Sequence, residues 1–369
     1  MIVPLYSVHI PSGIDGKLSA LLRSGQLSGG ENVAHFERKL KEFIGNPRVI
    51  TTGEMSGSIA MSLYLAGVRP SDEVITSPMA CLATNAPICN LFANVKWCDC
   101  DPRSGAIDPQ SIAESISSRT KAILVFHWAG NPADLSGIYE VAQHAGIPVV
   151  EDASEAMGAE YQGRKVGNTG GDFVVFSFYP NRHLTTIEGA AIAIKDQALY
   201  ERARWLRRYG IHGPSFRDED GEINPASDIK EAGWNNSMNH VSGLMGVAQM
   251  ESLEERLAIN QSNGQFYDDA LMNIRGVDTL KRSPGSKSAY WVYTFLADER
   301  DRLLKHLNGN GVQASRVHIR NDLYSCFQSG GQHLSGVGEF TRRAISIPCG
   351  WWVSPSQREW ILELIADRK

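Results

Sequence analysis

Between residues 47 and 195, short apolar runs alternate with segments long enough to form helices, and few folds accommodate that alternation. The run RVITT precedes a helical pattern through IAMSLYLAGV, and DEVITSP follows. NVKWCDCD, a helix through DPQSIAESI and the run KAILVFHWA come next. A helix near LSGIYEVAQHAG then leads to IPVVEDA, DFVVFSF and GAAIAI. Strands separated by helix-length segments predict an α/β fold, with a mostly parallel sheet covered by helices on both faces.

The remainder is organised differently. Residues 213–230, GPSFRDEDGEINPASDIK, are acidic, polar and punctuated by Gly and Pro, and read as an exposed loop. MGVAQMESLEERLAINQSNGQFYDDAL forms one long helical pattern. After it, strands (AYWVYTFLA, RAISIPC) mix with helices (ERDRLLKHLNG, SQREWILELIADR), as in a small α+β domain. A chain of 369 residues is long for one core. A large domain over 1–250 and a smaller one over 251–369 are expected.

Composition excludes several partners. A net charge of −5 and a pI near 6.1 give no electrostatic reason to expect nucleic acid or an anionic membrane. No apolar run reaches the roughly 18 residues that span a bilayer. The start, MIVPLYSVHIPSG, lacks a basic region followed by an apolar core, so a cytoplasmic protein is expected. Cys98 and Cys100 form a C-x-C without a second ligand pair nearby, and no metal site is expected.

Chemistry concentrates in residues 146–193. There an apolar strand delivers Glu151-Asp152, and a second strand runs into Ser177-Phe178-Tyr179-Pro180-Asn181-Arg182-His183-Leu184-Thr185-Thr186. Further motifs stand at Cys81-Leu82-Ala83-Thr84-Asn85, His127-Trp128-Ala129-Gly130 and His318-Ile319-Arg320-Asn321-Asp322. In this order they resemble the DegT/DnrJ/EryC1/StrS family of sugar aminotransferases, which use pyridoxal phosphate (PLP) and have the fold-type-I architecture. The resemblance covers nearly the whole chain. It places Arg182 where the family carries the lysine that bonds covalently to PLP.

That likeness implies a set of cofactor residues. Gly57 and Ser58, in a Ser-Gly-Ser that opens a helix, would meet the phosphate, although such a triplet also serves as a simple cap. Ser177 would be a second phosphate contact, and Asn235 would reach the phosphate from a neighbouring subunit of a homodimer with shared active sites. Asp152 would face the pyridine nitrogen, which a carboxylate keeps protonated. Cys81 would lie against the ring face, where many relatives stack an aromatic residue. For the substrate, a nucleotide-linked keto-deoxy sugar, the likeness points to His318, Arg320 and Asn321, with Arg207, Arg208 and Tyr209 beside them. Glutamate would donate the amino group.

Arginine at 182 alters this expectation. The transaminase lysine attacks PLP and then shuttles a proton, and both acts need a neutral nitrogen. A guanidinium with a pKa above 12 stays charged, and freeing it at pH 7 would take at least about 7 kcal/mol. PLP or pyridoxamine phosphate (PMP) would therefore bind non-covalently, with standard transamination impaired or altered. Three explanations are open: an engineered trap, a natural variant with changed chemistry, and a catalytically silent binding paralogue. One branch of the family has histidine in place of the lysine, and removes a sugar hydroxyl as a PMP-dependent 3-dehydratase. Here His183 stands one residue beyond that place, as a candidate base or a substrate contact. Glu155 stands where the family usually has glutamine or histidine. A buried Glu155–Arg182 ion pair filling the former lysine site is the expectation.

Overall fold

The computed structural model describes residues 2–327 and 333–367. Five strands come first: β1 (Val49–Thr52), β2 (Glu73–Thr76), β3 (Asn94–Trp97), β4 (Thr120–Phe126) and β5 (Val149–Asp152). The short hairpin β6 (Glu160–Tyr161) and β7 (Arg164–Lys165) follows, then β8 (Phe173–Ser177) and β9 (Ala190–Ile194). Seven of these form the central sheet in the order β1-β9-β8-β5-β4-β2-β3. Its pairings from β3 through β2, β4 and β5 to β8 are all parallel. Strand β9 alone runs against both of its neighbours. Residues 178–189 form no helix between β8 and β9, so the chain turns back beside β8 instead of crossing over.

Strands β1, β2, β5, β8 and β9 are buried along their whole length. Alternate residues enter different cores, as a period of two requires. Ile50, Val175 and Ile192 join one cluster with Ile59 and Val150. Val49, Val174 and Ala191 join another with Phe36 and Leu40. This is the α/β, mostly parallel, helix-covered fold that the strand–helix alternation predicts.

A second sheet pairs β10 (Val277–Thr279), β12 (Tyr293–Ala297) and β13 (Ala344–Ile347), all antiparallel, while β11 (Ser286–Lys287) pairs with β6. The long helical pattern over 245–271 divides, contrary to expectation, into helices His240–Met250 and Leu253–Leu271. At the break, the Arg256 guanidinium donates to the Gln249 carbonyl at 3.0 Å, giving a helix-end acceptor a side-chain partner.

Candidate active site

Several loops that leave the carboxyl ends of sheet strands meet in one cavity of about 640 Å³, where ligands of open α/β sheets bind. Cys81 enters after β2, Ser177 at the end of β8, and Asn181 and Arg182 just after it. Tyr6, Trp291 and His318 close it from distant parts of the chain. Among the described residues that line it, none is a lysine.

Glu155, just beyond β5, organises the floor. It is 1% exposed, and its carboxylate accepts from Ala129 N at 2.8 Å, His318 Nε2 at 2.9 Å and Arg182 Nη1 at 3.4 Å. Ala129 reaches it by adopting a left-handed conformation, φ 54°. A buried ion pair persists when further hydrogen bonds satisfy the carboxylate, and Ala129 N and His318 do so here. The Arg182 guanidinium lies 4.3 Å from the Trp291 ring centroid, while Tyr6 stacks on the same indole at 4.9 Å. Burial, then the Glu155 charge, pushes the Tyr6 hydroxyl above its ordinary pKa. Among the described residues, the Nε of Arg182 has no hydrogen-bond partner.

Asp152 ends β5, fully buried. It accepts from Thr84 Oγ1 at 2.6 Å and from Ser154 N at 2.9 Å, and burial raises its pKa. The adjacent Cys81 thiol is also pushed up, first by burial and then by the Asp152 and Glu155 charges. A raised thiol pKa disfavours the thiolate, so Cys81 is not set up as an anionic nucleophile.

His183 is placed otherwise than a catalytic base requires. Its ring is buried, its Nε2 lies 3.0 Å from the Ala289 carbonyl, and it does not line the cavity. Burial lowers its pKa to about 4, helped by the charges of Arg256 and Arg182. Neighbouring residues on an irregular segment point apart, and here Arg182 takes the cavity side.

At the other end, Glu54 caps the helix Met55–Leu65 by accepting from the amides of Ser56 and Gly57. The amide expected for phosphate at Gly57 is thus engaged. The Ser58 hydroxyl is buried, donates to the Glu54 carbonyl and lies 2.6 Å from Thr52 Oγ1. Ser177 does line the cavity. Asn236, which the sequence motifs did not single out, holds this loop: its Oδ1 accepts from Gly53 N at 2.9 Å and Glu54 N at 3.0 Å. Asn235 lies elsewhere, exposed, in a second cavity of about 890 Å³ with Arg208 and Tyr209.

Of the expected sugar contacts, His318 alone lines the first cavity. Arg320 is engaged by Asp322, and Asn321 is buried, bonded to Asn85 and to the Ala80 carbonyl. Arg207 is tied to Glu37 and to the Thr51 carbonyl. Tyr6, Glu54, Asn236 and Trp291 escaped the reading of motifs. A carboxylate at a helix N-cap was a usable signal for Glu54, whereas Tyr6 and Trp291 meet only through the tertiary fold.

The residues present fit a pyridoxal phosphate group on two observations. Two first-turn amides already hold an anionic oxygen pair, and the fully buried Asp152 carboxylate, with no salt bridge among the described residues, stands near Cys81.

Known proteins agree with this architecture. A crystal structure of the sugar aminotransferase CalS13 from Micromonospora echinospora superposes with a TM-score of 0.93 at 33% identity, over 99% of each chain. EryC1 of Saccharopolyspora erythraea, an erythromycin biosynthesis sensory transduction protein, is 30% identical over 308 residues, 83% of this chain and 80% of its own. GDP-perosamine synthase of Caulobacter vibrioides is 29% identical over 296 residues, 79% of this chain and 77% of its own. The DegT/DnrJ/EryC1/StrS aminotransferase family matches residues 10–365, and the chain belongs to that family.

Proposed function

We propose that this protein binds PLP or PMP without a covalent bond and acts on a nucleotide-linked keto-deoxy sugar, with ordinary transamination impaired or altered by Arg182. One observation carries the reading: Arg182 projects into the cavity, paired with Glu155, and no described lining residue is a lysine. When bound, the cofactor supplies the amino group or the electron sink. Asp152 is the group suited to face a cationic ring nitrogen. Glu155 holds Arg182 and His318 in fixed positions. The sugar nucleotide and glutamate as donor rest on the family and on relatives such as the GDP-perosamine synthase. A homodimer completed by Asn235, and a cytoplasmic site of action, belong to the same proposal; among the described residues no helix is long and apolar enough to cross a membrane.

A second reading, removal of a sugar hydroxyl with PMP, is favoured by the Glu155–His318 contact. A histidine oriented by a buried carboxylate is the arrangement of a general base, and His318 lines the cavity while His183 does not. Incubation with PMP and nucleotide-linked 4-keto-6-deoxy sugars, followed by mass analysis of the sugar, distinguishes the two. An amino sugar supports residual transamination, and a deoxy sugar lost on His318→Asn supports the second reading. Unchanged sugar at every cofactor concentration would contradict both.

A further inference from the structure

A phosphate cradle needs free donors, and here the donors are already taken by the chain itself. The Glu54 carboxylate accepts from Ser56 N at 2.6 Å and from Gly57 N at 2.5 Å. These first-turn amides are the groups that a helix leaves for an anion. We propose that Glu54 is an internal ligand of the cofactor's phosphate site, and that its carboxylate must leave those amides before a phosphate-bearing ligand can seat. Glu54 then sets how tightly the site takes phosphate. The inference rests on the PLP or PMP reading above.

Five features support it. Glu54 is exposed and lines the cavity, so its side chain can swing into water. Its backbone cannot follow, because Asn236 Oδ1 holds both Gly53 N and Glu54 N. Ser58 offers no substitute donor, since its buried hydroxyl already donates to the Glu54 carbonyl. A second carboxylate, Glu188, lines the same cavity, and burial together with the Glu54 charge raises its pKa. A dianion entering between two carboxylates is repelled unless one withdraws; both are exposed, and Glu54 is the one seated on the amides that the dianion would take. Gly57 leaves room for this exchange: a Cβ there would lie 2.3 Å from the Glu54 carboxylate.

The test compares wild type, Glu54→Gln and Glu54→Ala in titrations with PLP, with pyridoxal and with inorganic phosphate. Protein fluorescence, which Trp291 in the cavity makes sensitive to an occupant, reports binding, and circular dichroism confirms folding. Glu54→Gln keeps an acceptor for the helix cap, so at least one folded variant is expected. Both variants should bind PLP roughly tenfold more tightly, since a charge-assisted hydrogen bond no longer opposes entry. Inorganic phosphate should compete more strongly in the variants, and pyridoxal affinity should not change. Equal or weaker PLP binding in both folded variants would overturn the role of Glu54 and leave the cofactor reading standing. Absence of PLP binding in all three proteins, and of PMP binding in a parallel titration, would overturn the cofactor reading, and the role of Glu54 with it.

Discussion

Arg182 brings a charge into the cavity that no nearby group can remove, so its surroundings must answer it. Glu155 does so at 3.4 Å, with the arginine side chain 8% exposed. Removing one member of such a pair strands the other, which costs about 3–5 kcal/mol. Glu155→Gln should therefore lower unfolding stability by about 3 kcal/mol in urea denaturation, and adding Arg182→Met should recover part of the loss. No change on Glu155→Gln would show that the pair is not formed in solution. This contact was legible in the sequence, because both charges fall in motifs whose alignment puts them together. The stacking of Tyr6 and Arg182 on Trp291 was not, because nothing local links residues that far apart.

His183 adds a pH dependence at the same scale. Its pKa in the fold is about 4, below the usual histidine value, so between these values the unfolded chain holds the proton and the folded chain does not. The stability gained by burying the neutral ring is complete above pH about 6.5 and is lost as pH falls towards 4, by about 3 kcal/mol in all. His183→Phe should flatten the slope of stability against pH across that window. An identical slope in wild type and variant would refute the burial of a neutral ring.

Among the elements, the segment 178–189 matters most, since its course decides that Arg182 and not His183 faces the cavity. Arg256 fastens it from below. Its guanidinium, 6% exposed, donates to the His183 carbonyl and to the carbonyl and side chain of Gln249. Arg256→Met leaves these buried acceptors unpaired and should destabilise the protein by about 3 kcal/mol. It should also weaken PLP binding, as the Arg182 segment loosens; full retention of both properties would show that the segment is held by other contacts. The strands were legible element by element, because a strand buried on both faces must be a continuous apolar run. The helix break at Glu251–Ser252 was not, since periodicity continues across it and a tertiary contact from Arg256 defines the end. The direction of β9 was hidden for a similar reason: GAAIAI reads the same in either orientation.

For the whole molecule, the proposed sharing of active sites in a homodimer turns on Asn235. Asn235 is exposed and lines the second cavity, not the first. If it serves a neighbouring subunit, a protomer with Asn235→Ala and one with Asp152→Asn complement each other in a mixed dimer, which regains an intact site. Co-expressed and purified mixed dimers should then bind PLP where each variant alone binds weakly. Failure of complementation would place Asn235 outside the site or on its own chain's cofactor.

The proposal that the cofactor binds here without a covalent bond is tested most directly by borohydride trapping. Purified protein is mixed with PLP, its absorbance recorded, and borohydride added before mass spectrometry of the intact chain and its peptides. Wild type should show exchangeable PLP and no mass increase, while Arg182→Lys should gain a band at longer wavelength and one reduced PLP adduct on residue 182. A stable adduct on a lysine of the wild-type chain would contradict the assignment of Arg182 to the lysine position.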